Sequence, residues 1–350
     1  MPYYFFMTEN KSIYILGIES SCDDTSAAVL CNGKILSNVV ANQDIHTKYG
    51  GVVPELASRA HQQNIVPVIQ QAIQQANIDK KDLHAIAFTR GPGLMGSLLV
   101  GTSFAKSLSL ALNIPLIAVN HMQGHVLAHF IEDETQQKPP FPFLCLTISG
   151  GHTQIVKITN YFTMEVIGET TDDAVGEAYD KSAKILGLPY PGGPLVDKYA
   201  QLGNPKAFKF TKPKMPNLDF SFSGLKTAIL YFIQKNVKEN PNFIEENLND
   251  ICASIQYTIV EILFDKIKKA VKQTGITHIA IAGGVRANSE IRKTLKATEE
   301  KYGWTTYIPK FQYTTDNAAM IAIVGHLKYL ENDFSETKTV ATARLKVQEG

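Results

Sequence analysis

The stretch NHMQGHVLAH places His121, His125 and His129 at successive i, i+4 positions, on one face of a helix if a helix starts there. Two neutral imidazoles so placed can share one transition metal. A lone helical histidine is more often a core or surface residue, but this pair follows an apolar strand, where α/β folds put their ligands. His129 lies one turn deeper among apolar residues and fits packing better. Zinc peptidases of the HExxH type use the same spacing. Met122 stands where their glutamate base belongs, so peptide hydrolysis lacks its proton acceptor. Two histidines leave an ion needing another protein ligand from far along the chain. Asp316 in TTDNAAM, where a helix begins, offers a carboxylate, with a plain N-cap as the competing role.

Glycine turns supply a second set of candidates. GPGLMG, Gly91 to Gly96, has the spacing of a dinucleotide fingerprint and lies between a strand and a helix. The next strand ends in Asn120 and His121 with no acidic residue for a ribose, and Pro92 removes a backbone N–H. It reads as a tight turn that could also touch a phosphate or another part of a ligand. IAIAGGVRANSEI joins a buried strand to a helix through two glycines, where a ring or ribose can approach the backbone and Asn288 can bond it; a simple βα turn is the alternative. DDAVGEAYD and PYPGGPLVD set Asp180 and Asp197 beside glycine turns, suited to ribose hydroxyls or an amine, or to a solvated helix face. Lys206, Lys209, Lys212 and Lys214, interleaved with Phe208 and Phe210, form a stretch that could track phosphates or be an ordinary loop.

Positioning these residues requires a particular scaffold. IYILGIE and SAAVL flank the polar turn SSCDDT, and FLCLTIS and IVKI flank GGHTQ, so a strand, loop, strand unit occurs twice. Each loop can offer backbone N–H groups to one end of a ligand, and the repetition suggests a duplicated lobe, with coincidence as the alternative. Helices are expected at Pro54 to Asn77, Ser97 to Leu112, Asp172 to Leu186, Leu248 to Thr274, from Asn288, and at Asp316 to Leu330. Strands are expected at His84 to Thr89, Pro115 to Val119 and in HIAIAGG.

With 350 residues the chain suggests two domains, and KPPFP, Lys138 to Pro142, marks the crossover. The expected division is a disordered tail at 1–11, with Met7 a candidate start, lobe I at 12–137, lobe II at 138–324, and a C-terminal helix and tail at 325–350 returning to lobe I. A composition of 44% hydrophobic and 19% charged residues excludes disordered and fibrous classes. The net charge of +1 gives no global attraction to nucleic acid, so contact needs a local patch or a partner. Four cysteines without CxxC spacing make no disulfide framework and favour the cytoplasm. The start is too short and polar for a signal peptide, and no stretch of roughly 18 or more apolar residues is expected to span a membrane.

GIESSCDDT, GGVVPELASRAH, NHMQGH, SGGHTQ, GEAYDKSAKILGLPYPGGP, FSFSGLKTA, GGVRAN and TDNAAMIA occur in the order of one family. From Ile13 to Gly325 the chain resembles the bacterial TsaD (Gcp) family of tRNA threonylcarbamoyladenosine biosynthesis proteins, once called glycoproteases. The resemblance implies an α/β, two-lobed actin-like, Hsp70-like, sugar-kinase fold with duplicated mixed-sheet lobes. It implies His121, His125 and Asp316 as ligands of one divalent metal, Fe(II) first and Zn(II) second. Thr147, Ile148, Ser149, Gly150, Gly151, Asp180, Gly193, Asp197 and Asn288 match the positions that hold the nucleotide-bearing substrate, and Asp23 matches an acidic residue that supports catalysis. Asp24 stands where many relatives have Glu, which shortens a carboxylate's reach. The implied reaction moves a threonylcarbamoyl group from threonylcarbamoyl-AMP to the exocyclic amine of the adenosine 3′ of the tRNA anticodon, releasing AMP. The implied partners are tRNA, an inactive TsaB-like paralogue and a TsaE-like P-loop ATPase. A non-catalytic nucleotide-binding scaffold, a metallopeptidase and ATP hydrolysis are the rival readings.

Overall fold

Three strands open the chain as an antiparallel meander: β1 (Tyr14–Glu19), β2 (Thr25–Cys31) and β3 (Lys34–Ala41). Then β4 (Ala85–Gly91) and β5 (Leu116–Asn120) add in parallel beside β1, giving the order β3-β2-β1-β4-β5. The second sheet repeats this plan. β6 (Phe143–Ile148), β7 (Thr153–Asn160) and β8 (Thr163–Glu169) form the meander, and β9 (His278–Ala282) and β10 (Thr305–Tyr307) run parallel beside β6. The two five-stranded orders are the same when read from the meander edge. Duplication of mixed sheets, suggested by the paired hairpins, is thus built into the connectivity. The structure is a computed structural model describing residues 12–43, 46, 49–284, 288–313 and 315–349. The expected tail at 1–11, and Val285, Arg286 and Ala287 of GGVRAN, lie outside the described residues.

Helices α1 (Pro54–Gln75) and α2 (Met95–Leu112) pack on each other and on the first sheet. Pro54 starts α1, where its missing N–H is no loss. The short α3 (His121–Leu127) follows β5 directly. α4 (Val175–Ile185), α5 (Gly192–Ala200), α6 (Ser223–Glu239), α7 (Phe243–Thr274) and α8 (Ser289–Tyr302) belong to the second half. α7 stops at Gly275, whose left-handed φ of 71° a side chain would disfavour. α9 (Ala318–Leu330) is almost wholly buried against β1, β2 and β4. One apolar cluster runs from Ile15 and Ala87 of the first sheet through Met320 and Ile321 of α9 to Cys145 and Ala280 of the second. Two glycines let α9 come so close: a Cβ on Gly17 would lie 2.5 Å from the Ala318 carbonyl oxygen, and one on Gly325 2.4 Å from Ala87 Cβ.

The sequence reading omitted β3, β8, β10, α5 and α6. α6 has no capping side chain of its own, because its cap comes from Asp172, across the fold. That carboxylate accepts from the Phe222 N–H at 2.7 Å, the Ser223 N–H at 3.2 Å, and the hydroxyls of Ser221 and Ser223. Burial works to raise the Asp172 carboxyl, but these hydrogen bonds outweigh it and hold the group below its ordinary range. A depressed carboxyl stabilises the fold above its unfolded value, about 3.9, and stops doing so as pH falls through the folded value. We expect Asp172→Ala to cost about 1 kcal/mol near neutrality. In urea unfolding its deficit against wild type should shrink below about pH 4; a deficit constant with pH would contradict this.

One described helix, α2, is long and apolar enough by length and composition to cross a membrane, against the expectation that no such stretch exists. It is packed against α1 and β4, with Ser97, Leu98, Gly101, Thr102, Ala105 and Ser109 buried.

Candidate active site and metal centre

His121 opens α3, and His125 lies one turn on. The Asn120 side chain caps this helix, accepting from the Met122 N–H at 2.9 Å, while its own amide donates to the Lys346 carbonyl. Asp316 arrives from just before α9. The N-cap of that helix is Asn317, whose Oδ1 accepts from the Ala319 N–H at 2.9 Å, so the capping role considered for Asp316 falls to its neighbour. Asp316 Oδ1 lies 3.4 Å from His121 Nε2 and 3.2 Å from His125 Nε2. Ligand atoms of the three residues lie within 4.8 Å of one another.

Glu19, at the buried end of β1, completes the arrangement. Its Oε2 lies 3.0 Å from His121 Nδ1 and accepts from the Thr89 hydroxyl at 2.6 Å. This carboxylate fixes the ring so that Nε2 faces Asp316, the partner a metal-bound histidine ordinarily has. Burial disfavours charge on both Glu19 and His121, yet the Glu19 and Asp316 carboxylates push the imidazole up to about 10, and His121 in turn holds both carboxyls below their ordinary values. Burial pushes His125 down; its Nε2 faces Asp316, and its Nδ1 is buried without a hydrogen-bond partner. A buried carboxylate and a partly exposed one beside two buried imidazoles make a donor set that fits a divalent cation, whose binding would release the His121 proton. His129 stands apart, with Nε2 donating to the Ile281 carbonyl at 3.1 Å, and ties α3's flank to β9.

The loop carrying Asp23 is fixed from behind. The Cys22 carbonyl accepts from His61 Nε2 at 3.0 Å and from the Ser97 hydroxyl at 3.0 Å, and His61 Nδ1 meets the Thr25 hydroxyl at 2.8 Å. The glycine turn at Gly91 also serves this loop. Its Leu94 N–H donates to the Ser21 carbonyl at 2.7 Å and its Gly93 N–H to the Ala343 carbonyl at 3.2 Å. These donors are spent inside the protein, in keeping with a tight turn and not a dinucleotide site.

Asp23, His121 and Asp316 line a cleft of about 1370 Å³, which Ser149, Gly150, Gly151, Asp180, Gly193, Asp197 and Asn288 also border. Thr147 and Ile148 do not border it; they are buried in β6 and lead into the turn. A Cβ on Gly150 or Gly151 would meet nothing within 4 Å, so this edge is open to a ligand. Asp180 Oδ1 accepts from the Gly192 and Gly193 N–H groups at 2.8 and 3.1 Å, folding PGGP back onto α4. Asp197 accepts from the Ser289 hydroxyl at 2.6 Å. Asn288, read as free to bond a ring or ribose, is instead the N-cap of α8, and its amide donates to Gln256 at 2.6 Å.

The lysine and phenylalanine stretch divides. Phe210 is buried and Phe208 packs on Phe232 and Phe243, which removes both rings from stacking on bases. Lys212 pairs with Asp265 at 3.1 Å. Sequence reasoning passed over Glu19 and His61. Glu19 had one visible signal, an acid closing an otherwise apolar run.

Comparison with known proteins shows the fold and the family. A solved full-length HypF, in its phosphate- and nucleotide-bound form, superposes with a TM-score of 0.60 at 13% identity, over 93% of this chain and 48% of that one. Component A of (R)-2-hydroxyglutaryl-CoA dehydratase from Acidaminococcus fermentans gives 0.51 at 17%, over 91% and 99%. The fold is the two-lobed actin-like, Hsp70-like, sugar-kinase fold. Proteins named tRNA N6-adenosine threonylcarbamoyltransferase from Christiangramia forsetii and Riemerella anatipestifer are 73% and 62% identical, each over 96% of this chain and 99% of the relative. The family model described as TsaD, tRNA N6-adenosine threonylcarbamoyltransferase, matches residues 34–323. By the family model over residues 34–323 and near-full-length identity to these relatives, the chain belongs to the TsaD family of tRNA N6-adenosine threonylcarbamoyltransferases.

Proposed function

We propose that this cleft carries threonylcarbamoyl transfer from threonylcarbamoyl-AMP to the exocyclic amine of the adenosine 3′ of the anticodon, position 37, in tRNAs reading codons that begin with A. The observation carrying this reading is that His121 and Asp316, with His125 buried beside them, meet at the wall of the cleft that Asp23 and the open Ser149–Gly151 turn also border. A divalent ion held by the three ligands, Fe(II) by preference and Zn(II) as the alternative, supplies positive charge and Lewis acidity for a phosphate or carbonyl oxygen. Gly150 and Gly151 present backbone N–H groups at an unobstructed edge, suited to another oxygen of the adenylate. Asp23, fixed through the Cys22 carbonyl, orients the amine and takes its proton as the new C–N bond forms. The carbonyl–oxygen bond to the phosphate breaks, AMP departs with that electron pair, and Asp23 returns the proton to solvent. AMP leaves readily, so no strong general acid is required. Asp180, Asp197 and Asn288 brace the nucleotide side through their bonds to Gly192, Ser289 and Gln256.

The partners proposed are a TsaB-like inactive paralogue and a TsaE-like P-loop ATPase. A net charge of +1 and the loss of Phe208 and Phe210 to the core support their supplying part of the tRNA surface. Purified chain, both partners, a threonylcarbamoyl-AMP source and unmodified tRNA should yield modified adenosine by nucleoside mass analysis over many turnovers. Omitting either partner should stop turnover. No product from demonstrably competent partners and substrate would favour the non-catalytic scaffold; sustained turnover by the chain alone would remove the partners.

A further inference from the structure

The cleft is rich in acids: Asp23, Asp24, Glu177, Asp180, Asp197 and Asp316 all border it. Its ligand in the proposed reaction is nonetheless an anion, and a carboxylate-lined wall repels phosphate unless a cation intervenes. Among the described residues two lysines border the same space, Lys181 and Lys184, both on α4. Lys181 is committed, with Nζ 2.7 Å from Asp173 and 2.8 Å from Glu177.

Lys184 differs for a reason visible in the fold. Asp180 sits four residues before it, the spacing at which helical acids and lysines ordinarily pair. Asp180 Oδ1 is turned instead to the Gly192 and Gly193 N–H groups, which fixes the PGGP turn. No carboxylate comes within 4.0 Å of the Lys184 ammonium among the described residues, and the side chain is exposed at the cleft wall. A compact ammonium with three donors is suited to a single phosphate as a point charge.

We propose that Lys184 is a substrate-binding residue that takes a nucleotide phosphate entering the cleft. The phosphate has two possible sources, the adenylate and the tRNA backbone beside the target adenosine. This rests on the transferase reading, and the test separates the two. The full chain with both partners is compared as wild type, Lys184→Gln and Lys184→Arg, in steady-state transfer and in calorimetric binding of AMP alone. Lys184→Gln should raise KM about tenfold with kcat within about twofold, and Lys184→Arg should recover most of the loss. If AMP binding weakens by the same factor while the KM for tRNA is unchanged, the phosphate is the adenylate's. If AMP binding is unchanged and the tRNA KM rises, with the slope of log affinity against log salt reduced by about 0.7, it is the tRNA's. Unchanged AMP binding together with an unchanged KM for both substrates overturns the proposal, as does a fall in kcat alone. Should wild type make no product, the transferase reading fails on its own while the AMP measurement still reports on Lys184.

Discussion

Replacing His121 or Asp316 by alanine is expected to lower transfer by on the order of a hundred- to a thousandfold, the usual cost of removing one electrostatic contact to a developing oxyanion. Bound metal, measured by elemental analysis of the purified protein, should fall in parallel. The two readouts belong together. Each ligand also balances a buried charge: without Asp316, Glu19 alone faces His121, and without His121 two carboxylates face each other with no imidazolium between them. Circular dichroism and the unfolding midpoint must therefore accompany activity, and Asp316→Asn serves as the milder variant because it keeps volume and one acceptor oxygen. Folded variants that retain metal and turn over at the wild-type rate would remove the metal centre from the mechanism. Glu19→Gln should have the smaller effect of about 10- to 100-fold on metal affinity, since it holds a ligand and is not one.

The second large effect is expected far from any ligand. Gly17→Ala adds one methyl group where the Ala318 carbonyl oxygen is 2.5 Å away and the Ala322 nitrogen 2.7 Å away. Both obstacles are main chain, so no side chain can rotate aside, and α9 must lift from the sheet. Glycine to alanine at a compatible position stabilises slightly by restricting the unfolded chain. Here overpacking reverses that sign and should cost on the order of 3 kcal/mol. Because Asp316 stands two residues before α9, the same variant should also bind metal more weakly. Gly150→Ala, with nothing within 4 Å of the added carbon, is the control for stability and should unfold close to wild type. A Gly17→Ala midpoint equal to that of Gly150→Ala in urea would show that the α9 contact yields more easily than its geometry implies.

These two variants also mark what could be read from the sequence. The i, i+4 spacing of His121 and His125 needs only a helix to become a paired donor, and the helix is there. Asp316 was visible as a carboxylate before a helix, but its freedom depends on Asn317 taking the cap, a choice between adjacent residues that local pattern does not decide. Glu19 was hidden because an acid at the end of an apolar strand is usually the first solvated residue; only β4 and α3 arriving on either side bury it. The cap of α6 lies about fifty residues away at Asp172, so FSFSG carried no local sign of a helix start. Asn288 was seen as polar and near a glycine turn, and the geometry that favoured a ligand favours an N-cap equally. Strand pairs and glycine turns were legible from short-range chemistry; roles shared across the two sheets were not.

The candidate ligands His121 and His125 leave the ribosome well before Asp316 and the residues whose carbonyls grip α3, Lys346 and Val347. A chain released before residue 316 therefore carries two histidines, no third donor and no α9 to seat against Gly17. The proposed donor set closes only once residue 316 has been made, and shorter products lack its full complement of ligands.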